Sequence, residues 1–187
     1  QLGNGNLLSQ LSKKKIVFNF RKNDIENGGE GAPLTPIFHK YLVISKKIEL
    51  PVCILNIGGI SNLTLIHSFK NHEILSQDVG PGNCLINSWI QSHTKEKFDK
   101  GGKVSNRGKI NELILEQSLE THEHNFKKKD NISLDTNDFD ISFARGLNLE
   151  DGAATLTAFS AKIITSKINF LLKAVSYTHL TLPTMFE

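Results

Sequence analysis

Apolar runs and glycine pairs alternate through the middle of the chain. The runs 52–55 and 63–66 flank Gly58-Gly59. A Gly-Gly pair between two strand-like runs is a short-range hairpin signal. The pattern therefore predicts two antiparallel strands joined by a tight turn at Gly58 and Gly59.

A second glycine-marked turn, at 78–83, follows a third short apolar run, Ile74-Leu75. Beyond it, the apolar residues at 85, 86, 89 and 90 mark one face of a helix. Asn83 is the expected N-cap of that helix. The predicted order is strand, glycine turn, strand, strand, glycine turn, helix.

The remaining pattern predicts four more helices and one more strand. The helices are expected at 6–13, 36–42, 106–121 and 149–173, and a buried strand at 16–20. The 106–121 helix should face inward through Ile110, Leu113, Ile114 and Leu119, and the longest helix through Leu156, Phe159 and Ile163. Residues 122–148 are polar and predicted to be irregular. The 16–20 strand should deliver Arg21 and Asp24 to the carboxyl end of a sheet, where open α/β folds bind ligands.

Composition narrows the class of protein. The chain has 187 residues, 39% hydrophobic and 22% charged, which is typical of a globular protein with one large or two small domains. Its net charge of +3 predicts neither a nucleic-acid nor a membrane partner. No apolar stretch is long enough to cross a bilayer, and no signal peptide opens the chain, so a cytoplasmic protein is expected.

The cysteines and histidines predict no metal site. Cys53 falls in an apolar strand and Cys84 at a helix start, so both are expected to be reduced and packed. His122 and His124 would point to different faces of a helix, which argues against a shared metal ion.

The two glycine turns are candidate anion sites. Glycine lets backbone approach a ligand closely, and the free N–H groups at a helix N-terminus favour negative charge. Gly58 and Gly59, together with Gly82 and Asn83 before the predicted helix, therefore form a candidate phosphate cradle. A plain hairpin is the alternative for the first turn taken alone.

Three motifs resemble one enzyme family. They are Asn56-Ile-Gly-Gly-Ile-Ser-Asn-Leu-Thr64, Asp78-Val-Gly-Pro-Gly-Asn83 and the upstream Phe20-Arg-x-x-Asp-x-x-x-Gly-Gly-x-Gly-Ala-Pro33. The order of these motifs resembles the nucleotide-binding lobe of the actin and sugar-kinase superfamily. Their individual residues resemble the motifs of the anhydro-N-acetylmuramic acid kinase family. The resemblance covers almost all of residues 1–173.

The resemblance implies an α/β, actin-like/sugar-kinase (ribonuclease H-like) two-lobed fold, here as an internal fragment. Residues 1–49 would form the C-terminal part of the first, sugar-binding lobe with the catalytic loop. Residues 50–173 would begin the second, nucleotide-binding lobe. Residues 174–187 resemble translated adapter sequence and are expected to be a non-native tail without a packing role. The family's N-terminal Gly-Thr-Ser-x-Asp-Gly motif and its C-terminal adenosine motif do not occur here, so the fragment alone is expected to bind ATP poorly and to be inactive.

The resemblance also implies a reaction and its site residues. ATP, water and 1,6-anhydro-N-acetylmuramic acid would give ADP and N-acetylmuramic acid 6-phosphate in murein recycling, with Mg²⁺ as cofactor. Asp24 would be the catalytic base. The phosphates would be approached by Gly58, Gly59, Ser61 and Asn62 and by a second turn of Gly80, Gly82 and Asn83, while Arg21 and Asp78 would bind substrate. A homodimer of the full-length protein is consistent with these expectations.

Several alternatives stay open. On the residues alone, Asp24 is an ordinary loop aspartate with a turn hydrogen bond, Asp78 a loop cap and Arg21 a surface ion pair. Asp99 either orders Mg²⁺ or sugar or holds its own turn. Thr136 stands where the family is expected to carry an arginine. The competing functions are another sugar or small-acid kinase or ATPase of the same superfamily, and a non-catalytic nucleotide-binding protein.

Overall fold

The computed structural model describes residues 3–29, 31–32, 34–70, 73–126 and 133–175. The helices found there are α1 (Gly5–Ser12), α2 (Phe20–Glu26), α3 (Pro36–Lys46), α4 (Cys84–His93), α5 (Glu112–Phe126) and α6 (Leu149–Val175). The strands are β1 (Val52–Ile57), β2 (Ile60–Ile66) and β3 (Ile74–Pro81). No helix within these ranges is both long enough and apolar enough to cross a membrane. The expected tail lies outside the described residues from 176 onward.

The strands form one antiparallel sheet in the order β1-β2-β3, which confirms the predicted hairpin. The pairing of β2 with β3 is irregular at one place. Ser61 lies opposite Gly80 while Asn62 lies opposite Asp78, so Val79 is an extra residue on β3. Such a bulge changes the direction of the side chains on either side of it. Here it places Asp78 and Gly80 on opposite faces of the sheet.

One face of the sheet packs on α6. Leu63, Leu65 and Val79 contact Ile164 and Leu171, and these residues are almost fully buried. Because alternate residues of a strand share a face, the odd positions of β2 supply this contact. The second half of α6 therefore covers the sheet.

A second core lies between α4, α5 and the first half of α6. Trp89, Leu115, Leu156 and Phe159 are buried at its centre. The indole Nε1 of Trp89 donates a hydrogen bond to the carbonyl oxygen of Leu149, 2.9 Å away, so the ring is fixed at the start of α6. The predicted inward positions of α6 are confirmed, and the helix runs two residues further than expected.

The other face of the sheet contacts α3 through a chain of polar side chains. Ser76 Oγ donates to the carbonyl oxygen of Leu63 at 3.0 Å and lies 3.3 Å from Thr64 Oγ1. Thr64 Oγ1 lies 2.8 Å from Nδ1 of His39 on α3. With the proton of Ser76 on Leu63, every contact of this chain is a hydrogen bond when Thr64 donates to Ser76 and His39 Nδ1 donates to Thr64. Burial lowers the pKa of His39. This chain joins α3 to the sheet.

The predicted strand at 16–20 is wrong. Residues 15–19 have no regular structure, Val17 is 75% exposed, and α2 begins at Phe20. A strand needs a neighbour for its backbone hydrogen bonds. None of the three described strands pairs with this segment. Asp24 therefore lies on helix α2 and not in a loop beyond a strand.

The predicted start and inner face of the 106–121 helix are also wrong. Helix α5 begins at Glu112, because Asn111 caps it through its side chain and is itself held by a hydrogen bond from its N–H to Thr155 Oγ1 at 3.0 Å. Ile110 consequently lies outside the helix and is exposed, and Leu113 is 66% exposed. Leu115 takes the buried position, while Ile114 and Leu119 are half-buried.

The contact between Gly152 and Trp89 yields the first prediction. A β-carbon at Gly152 would overlap the indole ring, which is buried and hydrogen-bonded and cannot move freely. Gly→Ala in an exposed helix normally stabilises by about 1 kcal/mol, but overpacking here should reverse the sign. We expect Gly152→Ala to lower the free energy of unfolding by about 1–3 kcal/mol in urea denaturation. The control is Ser166→Ala, at an exposed position of the same helix, which should not destabilise; equal effects of the two would contradict the expectation.

Candidate functional site

The tip of the β1–β2 hairpin is bonded to the start of α4. The backbone N–H of Gly82 donates to the carbonyl oxygen of Gly59 at 2.9 Å, and that of Asn83 to Gly58 at 2.8 Å. The N–H of Cys84 donates to Gly59 at 3.2 Å. We call the residues Gly58, Gly59, Gly82 and Asn83 the glycine cluster. The structure thus brings the two predicted turns together into one site.

The second turn is shorter than predicted. Strand β3 continues through Pro81, so only Gly82 and Asn83 form the turn. Asn83 directly precedes α4, as expected for an N-cap, but its side chain makes no capping bond and Nδ2 donates to the carbonyl oxygen of Ile57 at 3.3 Å. The sequence predicted free N–H groups for an anion at the start of α4. The N–H groups of Gly82, Asn83 and Cys84 are instead bonded to the hairpin tip and are not available to an anion.

The glycines of the cluster differ in what surrounds them. Gly82 is buried, and a β-carbon there would overlap the carbonyl oxygen of Gly58 and lie 2.9 Å from Ser61 Oγ. At Gly59, which is exposed, the nearest atom to a β-carbon is Thr136 Cγ2 at 3.5 Å, an ordinary contact. Gly82 is therefore needed for packing, whereas Gly58 and Gly59 offer open backbone. Gly80 packs against α6 and does not belong to the open part.

Ser61 and Asn62 lie beside the cluster on opposite faces of β2. Ser61 is fully buried, and its hydroxyl is near Gly82 with no hydrogen-bond partner among the described residues. It supports the turn from beneath. Asn62 is half-buried and pairs with Asp78 across the sheet. The predicted contacts of both residues with phosphate remain predictions.

Asp78 has a backbone partner from a distant part of the chain. Its Oδ2 accepts a hydrogen bond from the N–H of Leu134 at 2.9 Å. The same segment brings Thr136 against Gly59. We call residues 133–139 the strap. Sequence reasoning missed this contact, because nothing local in either segment indicates a partner so far away.

A second cluster surrounds Asp24. Its Oδ2 accepts a hydrogen bond from the N–H of Gly31 at 2.8 Å, and Arg21 Nη1 donates to the carbonyl oxygen of Gly31 at 2.7 Å. A β-carbon at Gly29 would overlap the Asp24 carboxyl group. The loop after α2 thus wraps around a half-buried carboxylate and orients it. We call Arg21, Asp24, Gly29 and Gly31 the aspartate cluster.

The hydrogen bonds described for Arg21 and Asp24 do not reach the glycine cluster; both side chains bond within their own loop. Helix α3, which follows the aspartate cluster in the chain, contacts the sheet through the hydrogen bond between His39 and Thr64. The predicted approach of Asp24 to the phosphate turns therefore stays a prediction.

A cavity of about 350 Å³ adjoins the glycine cluster at the start of α4. It is lined by Asn83, Ile86, Asn87, Phe98, Asp99, Gly102, Ser105 and Thr157. Asn87 was missed by sequence reasoning, although its spacing of four residues from Asn83 puts both on one face of α4.

Asp99 holds its own turn at the edge of this cavity. Its carboxylate accepts hydrogen bonds from the N–H of Val104, the N–H of Ser105 and the hydroxyl of Ser105, at 2.8–2.9 Å. Burial opposes ionisation of Asp99, but these hydrogen bonds together outweigh it and lower its pKa. The structure thus agrees with the simpler of the two interpretations, an aspartate that stabilises a turn.

Among the residues that the structure covers, no group of three or more His, Cys, Asp or Glu side chains could hold a metal ion. His122 instead packs between Phe139 and Phe159, and burial lowers its pKa. Cys53 and Cys84 are free and half-buried, as expected, and burial raises the pKa of both thiols.

The chain has a mixed α/β fold in which the tip of a hairpin meets the start of a helix, as expected for part of a sugar kinase. A family described as anhydro-N-acetylmuramic acid kinase matches residues 1–178. The chain belongs to the anhydro-N-acetylmuramic acid kinase family, which confirms the expectation from its motifs.

Curated relatives carry the same family name. The chain is 53% identical over 168 residues to anhydro-N-acetylmuramic acid kinase of Pelagibacter ubique, covering 90% of this chain and 44% of the relative. It is 42% identical over 170 residues to the protein of that name from Methylorubrum extorquens, covering 91% of this chain and 44% of the relative. For the protein of that name from Zymomonas mobilis subsp. mobilis the identity is 36% over 170 residues, which cover 91% of this chain and 45% of the relative. The chain spans a little under half the length of these relatives.

The different surroundings of Gly82 and Gly59 give the second prediction. Gly82→Ala should lower the free energy of unfolding of the 187-residue chain by about 1–3 kcal/mol, because the new methyl group would force the hairpin tip away from α4. Gly59→Ala is the matched control and should change it by no more than about 0.5 kcal/mol. Urea denaturation measures both, and equal losses would contradict the packing role of Gly82.

Proposed function

We propose that this chain supplies the catalytic base and part of the nucleotide site of an enzyme that hydrolyses and 6-phosphorylates 1,6-anhydro-N-acetylmuramic acid at the expense of ATP, in murein recycling. The observation that carries the proposal is the aspartate cluster: in a chain of this family, a half-buried carboxylate is held in one orientation by the N–H of Gly31. We assign the reaction to the cytoplasm because ATP is its phosphoryl donor. A homodimer of a full-length protein stays a prediction.

The reaction needs a single carboxylate. Hydrolysis of an ordinary glycosidic bond takes one group to activate water and another to protonate the leaving oxygen. In this anhydrosugar the leaving oxygen is the sugar's own O6. Water attacks C1 and the C1–O6 bond breaks. O6 takes the γ-phosphoryl group of ATP, which releases ADP and makes a second acid unnecessary.

Asp24 suits the role of base by its geometry. The N–H of Gly31 occupies Oδ2 and fixes the plane of the carboxylate, which leaves Oδ1 to take the proton of the attacking water. The guanidinium group of Arg21 donates a hydrogen bond to the carbonyl oxygen of the same residue, Gly31. We propose that the N–H groups of Arg21 not used in this bond contact sugar or phosphate.

The glycine cluster suits the phosphates of ATP. Gly59 and Asn83 are exposed, and no side chain at Gly58 or Gly59 prevents close approach of backbone to a ligand. Phosphoryl transfer depends mainly on such positioning. Mg²⁺, when bound, would spread the negative charge of the phosphates. With no carboxylate group of three among the described residues, the ion would be held chiefly by phosphate oxygens and water, as is usual for it.

Activity is tested in a chimera in which this chain replaces the matching segment of the Pelagibacter ubique relative. We expect ADP release that depends on the anhydrosugar, and a product that gains one ¹⁸O atom at C1 in labelled water. Phosphorylation without ¹⁸O would favour another sugar kinase of the superfamily. No turnover with any sugar would favour a non-catalytic nucleotide-binding protein.

Replacing the proposed base gives the third prediction. Asp24→Asn in the chimera should lower kcat by about 10²–10⁴-fold, the usual contribution of a general base. Glu26→Gln, an exposed acid on the same helix, is the control and should leave kcat unchanged. Steady-state ADP release measures both variants. Nearly full activity of the Asp24→Asn variant would contradict the role of Asp24.

The fourth prediction concerns the 187-residue chain by itself. We expect no anhydrosugar-dependent ADP release from it and only weak ATP binding by calorimetry, because it lacks two of the family's expected nucleotide motifs. Turnover by the isolated chain would contradict this expectation.

A further inference from the structure

The strap lies beside the hairpin tip, and hydrogen bonds within it define its turn. Asp135 Oδ1 accepts from the N–H of Asn137 at 2.9 Å, and Asp138 Oδ2 accepts from the N–H of Asp135 at 2.8 Å. These bonds close a short 3₁₀ turn at Thr136–Asp138. The turn places the methyl group of Thr136 3.5 Å from the position that a β-carbon on Gly59 would occupy.

The strap is fixed to the sheet by Asp78. The N–H of Leu134, at the beginning of the strap, donates to Asp78 Oδ2 at 2.9 Å. The bulge at Val79 makes this possible, because it turns Asp78 to the face opposite Gly80, which packs on α6. A hydrogen bond to a charged acceptor is among the stronger ones in proteins.

We propose that Asp78 is a positioning residue: its carboxylate holds the strap against the hairpin tip, so that Thr136 forms one wall of the site for the terminal phosphate. The proposal rests on the proposed function, since it needs a phosphate at Gly59. It differs from the expectation that Asp78 itself binds substrate. A positioning role requires only an oxygen acceptor at residue 78, whereas a contact with Mg²⁺ depends on its negative charge and a contact with a sugar hydroxyl would change KM for the anhydrosugar.

Two substitutions separate these roles. Asp78→Asn keeps an oxygen that accepts from Leu134 but removes the charge. Asp78→Ala removes both. Asp140→Asn is the charge-matched control, because Asp140 is exposed and bonds only locally to Ser142 among its described hydrogen bonds.

The first experiment measures amide exchange of Leu134 by NMR in the 187-residue chain without nucleotide. Asp78→Ala should speed exchange about tenfold or more, the size expected for loss of a hydrogen bond to a charged group. Asp78→Asn and Asp140→Asn should stay close to the parent chain. Unchanged exchange in Asp78→Ala would overturn the anchoring role, whatever the enzyme's reaction proves to be.

The second experiment measures kinetics in the chimera. Asp78→Ala should raise KM for ATP about tenfold and leave KM for the anhydrosugar unchanged. Asp78→Asn should keep KM for ATP close to that of the parent chimera. If Asp78→Asn is as defective as Asp78→Ala, the carboxylate acts through its charge and the positioning role is wrong. A parent chimera without turnover would contradict the proposed function alone, because the exchange experiment does not depend on it.

Thr136 gives a test that remains informative if Asp78→Ala does not fold. Thr136→Val keeps the methyl group that faces Gly59 and loses only the hydroxyl. Thr136→Ala loses both. We expect a higher KM for ATP in Thr136→Ala and nearly parental KM in Thr136→Val. Equal values of KM in the two variants would show that the strap does not form a wall of the phosphate site.

Discussion

Three backbone hydrogen bonds between the hairpin tip and the start of α4 determine the arrangement of the site. They require the backbone of Gly82 to pass so close to Gly58 that no side chain fits between them. Because α4 continues from this junction into the core around Trp89, the position of the hairpin tip is fixed by the packing of the helices. The half-buried Gly58 and the exposed Gly59 are thereby held on a rigid support.

The site therefore combines buried parts with open ones. Gly80 and Gly82 face packed neighbours, and Ser61 lies beneath the turn, whereas Gly59 and Asn83 face outward. The strap adds a third part that comes from much later in the chain. A ligand at the tip would meet backbone and small polar groups whose positions are set before it binds, which lowers the entropy lost on binding.

Local patterns were enough to predict the elements whose partners are near in sequence. The Gly58-Gly59 hairpin, Asn83 before α4 and the buried face of α6 could all be inferred from spacing. Spacing failed at 16–20, because an apolar run becomes a strand only beside another strand, and at α5, whose start is set by Asn111 and its contact with Thr155. The hydrogen bond between Asp78 and Leu134 could not be predicted either, because the two residues are far apart in the sequence. Such contacts depend on the folded arrangement.

Helix α3 contacts the other face of the sheet through the side chains of His39, Thr64 and Ser76. The direction of the hydrogen bonds among these side chains affects how the contact responds to acid. The arrangement that satisfies every contact has a proton on His39 Nδ1, with Thr64 donating to Ser76 and Ser76 donating to the carbonyl oxygen of Leu63. The charged imidazolium carries a proton on the same nitrogen. Gaining a second proton at Nε2 therefore leaves every bond of the chain in place. Only the hydrogen bonds are indifferent to this change, because the burial that lowers the pKa of His39 still disfavours its charged form as the pH falls.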